Sequence, residues 1–199
     1  MTDSLPTNEL AERLNLIESM MAEGRRKVES WSWTFLLWGV AYYIAFFWGG
    51  WGHGRYAWPI TMLAAGALTM YIVSRRRASS PATTLSRAIG SIWAATGCSL
   101  FIVLCSLGYS GRLSEAHSMI AVFAAMLGLA NAASALTLRW KAQMVCAIVW
   151  WAAAIVACYG NGFVLMVDFL AAVFFGQIVF GIYGMYNESQ RRARSVAHA

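Results

Sequence analysis

Residues 117–159 read HSMIAVFAAMLGLANAASALTL, then RWK, then AQMVCAIVWWAAAIVACY: two apolar runs joined by three residues, two of them basic. Hydrocarbon offers no water to the backbone, so an apolar run of roughly 20 residues is read as a membrane-spanning helix whose peptide groups bond within the segment. The runs His117 to Leu138 and Ala142 to Tyr159 are therefore two spans. The Arg139-Trp140-Lys141 turn between them marks the cytoplasmic side, because Lys and Arg accumulate in short cytoplasmic loops.

Working outward, four more runs have the same character: Trp31 to Trp51, Trp58 to Ser74, Ala88 to Tyr109 and Phe163 to Met185. The whole chain of 199 residues is 59% hydrophobic and 12% charged, against roughly 25% charged in soluble domains. The expectation is an all-α polytopic membrane protein with six transmembrane helices: a leader over 1–30, a bundle over 31–187 and a basic cytoplasmic tail over 188–199. Thirteen of the fifteen basic residues fall on one side of that topology, and only Arg55 and Arg112 on the other. An even number of spans with both termini cytoplasmic follows. The net charge of +6 is gathered beside apolar segments rather than over a polar face, so it reads as a topology and lipid-headgroup signal and not as a nucleic-acid surface.

Between Thr7 and Ser30 the residues Leu10, Leu14, Ile17, Met21 and Val28 recur on one helical face. Glu9 with Arg13 and Glu23 with Lys27 stand four apart in the favourable order. The leader holds six acids before its first span, a poor match to a basic membrane-surface helix. The apolar face Leu10, Leu14, Ile17 and Met21 is instead expected to meet a partner helix, its own copy or another protein, through residues 8–28.

The leader followed by Phe35-Leu36-Leu37-Trp38-Gly39 resembles the start of a group of small bacterial six-span membrane proteins. The likeness covers roughly the first fifth of the chain. It implies a bacterial inner (cytoplasmic) membrane and carries no chemistry.

Small residues at four-residue spacing let transmembrane helices approach closely. Ala41, Ala45 and Gly49, then Ala124, Gly128 and Ala132, then Ala172, Gly176 and Gly184 are expected at helix contacts. Trp31, Trp33, Trp51, Trp58, Trp93 and Trp140 sit near span ends, the place of headgroup anchors. Cys98, Cys105, Cys146 and Cys158 lie inside apolar runs without metal-site spacing, and read as small buried apolar residues.

Asp168 is the one acid inside a span, near its outer end. A charge at that depth must be paired, neutralised or hydrated; Arg55, Arg112, Ser118 and Tyr109 are within reach of the same level. The ligand or ion candidates are Asp168, Asn131, Gln177, His117 and Arg112. Asn131 and Gln177, each about two thirds of the way across, are expected at matching depth and able to share a hydrogen bond. His53, His117 and Asp168 raise an outer metal site only faintly, and neither a metal nor a cofactor is expected. No H-E-x-x-H, G-x-S-x-G or Walker pattern is present, and one carboxylate in the spans does not make an acid and base pair, so no enzyme is expected. Two functions remain: a non-catalytic scaffold or regulatory subunit acting through the leader, and a small-solute or ion transporter using Asp168.

Overall fold

A computed structural model describes residues 7–77, 84–109 and 116–197, and these are almost entirely helical. The elements are α1 (Thr7–Ser30), α2 (Ser32–Trp48), α3 (Gly54–Arg77), α4 (Thr84–Tyr109), α5 (Ala116–Leu138), α6 (Lys141–Tyr159), α7 (Gly162–Val173) and α8 (Phe180–Ala197). The last two form one rod through a wider π-helical turn, Phe174–Val179. Among the described residues, five stretches are long and apolar enough to cross a membrane: Tyr56–Arg75, Thr84–Leu107, His117–Leu138, Lys141–Tyr159 and Gly162–Arg194. The first apolar run of the sequence forms α2, which has 17 residues and is about 25 Å long.

Three of the described turns are fixed by local chemistry. Between α2 and α3 the chain reverses at Gly52, whose φ of 87° lies where only glycine sits without strain. α7 is capped by Asn161, whose side chain accepts a hydrogen bond from the Val164 amide at 3.0 Å. α5 ends with the Arg139 amide donating to the Leu136 carbonyl at 3.4 Å and the Trp140 amide to the Ala135 carbonyl at 2.9 Å. This is the Schellman pattern, and it holds Arg139 at a φ of 48° where glycine is usual.

α5 and α6 form the most extensive helix pair, an antiparallel hairpin. α6 packs on α7 and the π turn, the π turn and α8 pack on α2, α2 packs on α3, and α4 packs on α5. Aromatic rings fill the centre. Tyr42 meets Phe123 with ring centres 5.3 Å apart, and Phe123 meets Trp150 at 5.9 Å. Trp58 and Phe46 both lie against Phe169, at 6.0 and 6.4 Å. Two tryptophans expected as anchors are thus drawn inward: Trp58 into this cluster, and Trp93 against Phe35 at 5.2 Å. Among the cysteines only Cys146 is buried, and Cys98, Cys105 and Cys158 lie on exposed helix faces, contrary to the sequence expectation. A helix in lipid gains little from hiding a small apolar side chain, so apolar character alone does not decide which way it faces.

Buried positions on the last rod recur at Phe169, Val173, Gln177 and Gly181, a step of four that would drift around a regular helix of 3.6 residues per turn. The wider π turn absorbs the drift and keeps one face on α2 and α6. The close approach to α2 is at Gly181, where a Cβ would stand 2.8 Å from the Leu36 backbone nitrogen.

Candidate functional site

The polar side chains of the bundle fall into three groups. The first group, at the end of the bundle where α6 turns into α7, holds Asp168, which is half-buried and whose Oδ2 has no hydrogen-bond partner among the described residues. Tyr109 is 98% exposed and so does not reach it; Ser118 is also exposed. Arg112, and the side chains of Arg55 and His53, lie outside the described residues. The His117 ring sits with Nδ1 3.2 Å from the Ala157 carbonyl. No cluster of three metal-ligating side chains occurs among the described residues.

The second group, near the α5–α6 turn, is Asn131 and Ser134 of α5 with Gln143 of α6, all three inaccessible to solvent. Asn131 Nδ2 donates to the Leu127 carbonyl at 2.9 Å. Its Oδ1, the Ser134 Oγ and both ends of the Gln143 amide have no hydrogen-bond partner among the described residues. Such atoms in an apolar surrounding call for internal water or one another. His117 opposite Ala157 and Phe123 opposite Trp150 set the hairpin register, which brings Asn131 level with Gln143.

Gln177 does not share that level. Its Cβ lies against Gly39 of α2, and its neighbour Gly176 sits under the indole nitrogen of Trp150. Trp150 is seven residues beyond Gln143 on α6, so Gln177 stands roughly 10 Å from the level of Asn131, toward the C-terminal end of α6. The expected Asn131 to Gln177 hydrogen bond is replaced by the bond from Asn131 to its own helix. Depth counted along each helix alone misses this, because the π turn in the rod of α7 and α8 shifts its register against α2 and α6. Gly128 lies under Trp151 and Gly184 against Ser32.

The third group was not visible in the sequence as a site. α8 presents Tyr183, Asn187 and Arg191, four residues apart, toward Ala22, Arg25, Arg26 and Glu29 of α1. Together with Trp140 in the α5–α6 turn they line a cleft of about 480 Å³. Glu29 is 3% exposed. The Arg191 guanidinium spans both its oxygens: Nη2 donates to Oε1 at 3.0 Å, and Nη1 approaches Oε2 at 2.6 Å off the hydrogen-bond angle. Burial pushes the Glu29 carboxyl above its ordinary value of 4.5, with Arg191 first and Arg25 after it pulling the other way. A second cavity, about 550 Å³, adjoins it along α1, sharing Ala22 and Arg25, and is also lined by Asn15, Glu18 and Arg139. The signal that could have found the cleft is the recurrence of Ala22, Arg25 and Glu29 at helical spacing opposite a basic tail that continues a span.

α1 itself is divided. Its C-terminal half is docked, with Gly24 against Leu85 of α4 and Leu138 of α5. Its N-terminal half stands clear: Leu14, Leu16, Ile17 and Met20 are each about half exposed or more. Met21 is half-buried and the Leu10 side chain is outside the described residues. Comparison with known proteins finds no family model, no curated protein and no solved structure that matches this chain.

Proposed function

We propose that this chain is a non-catalytic integral membrane scaffold or regulatory subunit. It crosses a bacterial inner membrane six times, keeps both termini in the cytoplasm, and offers the N-terminal half of α1 to a protein partner. The observation that carries this reading is the division of α1: one half is clamped to the bundle by Gly24 and Glu29, and the other leaves Leu14, Leu16, Ile17 and Met20 uncovered. The uncovered half carries Glu9, Glu12 and Glu18 against Arg13, which is already paired with Glu9 at 2.6 Å. An acidic amphipathic helix is repelled by an anionic leaflet, so a protein surface suits it better than lipid.

The interior supports the same conclusion. Asp168 lies level with the outer end of α6 and Gln143 near its inner end, roughly 22 Å away. Between them the Tyr42, Phe123 and Trp150 rings occupy the middle of the bundle. A polar route would have to pass through that cluster.

The test is the full chain with Leu14→Glu and Ile17→Glu, solubilised in detergent. Loss of a co-purifying partner, or a fall in particle mass to one chain, supports the scaffold; the fall in mass identifies the partner as a second copy. Unchanged mass and unchanged partner content remove it. A transporter is the second reading, favoured by Asp168 Oδ2, which has no hydrogen-bond partner among the described residues. Equal solute flux in liposomes carrying wild type and Asp168→Asn would exclude that residue from transport.

A further inference from the structure

We infer that the cleft between α1, the α5–α6 turn and α8 binds the phosphate of an anionic membrane lipid. Its walls bring three guanidinium groups, Arg25, Arg26 and Arg191, around a single carboxylate. Glu29 is already held through both oxygens by Arg191, so the lining keeps an excess of positive charge. Guanidinium forks match phosphate oxygens two at a time, and Asn187 and Tyr183 add neutral donors on the facing wall.

Position selects the source of the phosphate. Trp140 ends the α5 span and precedes the α6 span, and its ring packs on Phe180 at 5.2 Å. An indole at a span end lies at the headgroup level. Gly162–Arg194 has 33 residues, about 50 Å of helix, which exceeds a hydrocarbon layer of roughly 30 Å. The turn carrying Asn187 and Arg191 therefore emerges where headgroups are. Basic pockets between helices on the cytoplasmic side are suited to anionic headgroups, and a volume near 480 Å³ admits a glycerophosphate group while its chains stay in the bilayer. Occupancy would place a negative charge beside the clamp that docks α1. The lipid would then help hold α1 against the bundle without touching the acidic half that faces a partner.

This rests on the span assignment proposed above and not on the scaffold role. The experiment uses the delipidated full chain in a neutral maltoside. Bound lipid is counted by native mass spectrometry, and thermal unfolding is followed on addition of dioleoylphosphatidylglycerol, dioleoylphosphatidylcholine or inorganic phosphate. Phosphatidylglycerol is expected to be retained and to raise the melting temperature, with phosphatidylcholine giving the smaller effect. Arg25→Gln with Arg26→Gln leaves the Glu29 to Arg191 pair in place and is expected to weaken phosphatidylglycerol binding about thirtyfold. Asn187→Ala, which keeps every charge, provides a milder variant should the double substitution fold poorly, and is expected to weaken binding several-fold. Equal retention of both lipids, or phosphatidylglycerol binding unchanged in the variants that fold, overturns the inference. A full shift with inorganic phosphate and none with phosphatidylglycerol assigns the cleft to a soluble phosphate and overturns it as well. Failure of the span assignment shows separately, as termini found on opposite faces of the membrane.

Discussion

Glu29 illustrates how one carboxylate can tie a peripheral helix to a membrane bundle. Removing Arg191 leaves its charge nearly buried with the larger part of its compensation gone. A fully buried pair broken in this way costs 3–5 kcal/mol, and because Arg191 is 49% exposed the expected cost of Arg191→Ala is lower, about 2 kcal/mol. It should appear as a fall in melting temperature of the purified chain. The pH dependence has a definite sign. A carboxyl raised on folding stabilises the fold fully below its ordinary 4.5 and progressively less as pH climbs through the raised value. The melting temperature of wild type should therefore fall relative to that of Glu29→Gln as pH climbs above 4.5; parallel profiles would contradict the burial argument. At Arg139 the left-handed backbone is held by a non-glycine residue. Arg139→Gly is expected to stabilise by up to about 1 kcal/mol, less whatever the freer unfolded chain takes back.

At the scale of helices, the seam between α2 and the last rod depends on backbone proximity rather than on side-chain fit. A methyl group on Gly181 would meet the Leu36 backbone, its nitrogen at 2.8 Å and its Cα at 3.2 Å. Neither can rotate away, so α2 and α8 must separate. Gly181→Ala is expected to cost about 1–3 kcal/mol, read as a lower melting temperature in detergent. The same substitution at Gly66, where nothing lies within 4 Å, should cost nothing, and equal effects at both positions would argue against this packing. The π turn belongs to the same seam, since it lets positions four apart remain on one face through Gln177 and Gly181.

For the molecule as a whole, the proposed topology places residues 1 and 199 on the same side. Tags on Met1 and Ala199 in inverted and right-side-out vesicles should be cleaved in the inverted preparation only. One terminus cleaved in each would remove the even span count and, with it, the headgroup level assigned to Trp140. The bundle is also unevenly packed. α5, α6 and the last rod bury much of their surface, while α4 is buried along little of its apolar length. Its outer face, with Gly90, Gly97, Phe101 and Ile102, is left open.

Much of this architecture was legible in the residues. Runs such as His117 to Leu138 and Ala142 to Tyr159 announce helices of membrane length, because hydrocarbon forces each segment to satisfy its own backbone. The small residues Ala45, Ala124, Ala132 and Ala172 are buried, as close helix approach requires. The amphipathic stretch from Thr7 forms a helix because its period is 3.6, a property of the local chain. What the residues did not disclose depends on how helices slide and turn against one another. Nothing in the composition of the last span announced a π turn, so the depth of Gln177 relative to Asn131 came only with the register against α2 and α6. Gln143 stands two residues from Lys141 in the chain, and only the hairpin packing encloses it. Glu29 and Arg191 are 162 positions apart, and their pairing exists because α1 folds back across the end of the bundle. Local sequence determines which segments enter lipid, since each must bury its own peptide groups. Which side chains then meet is settled by tertiary packing, since in a uniformly apolar solvent many helix faces are equally content to face outward.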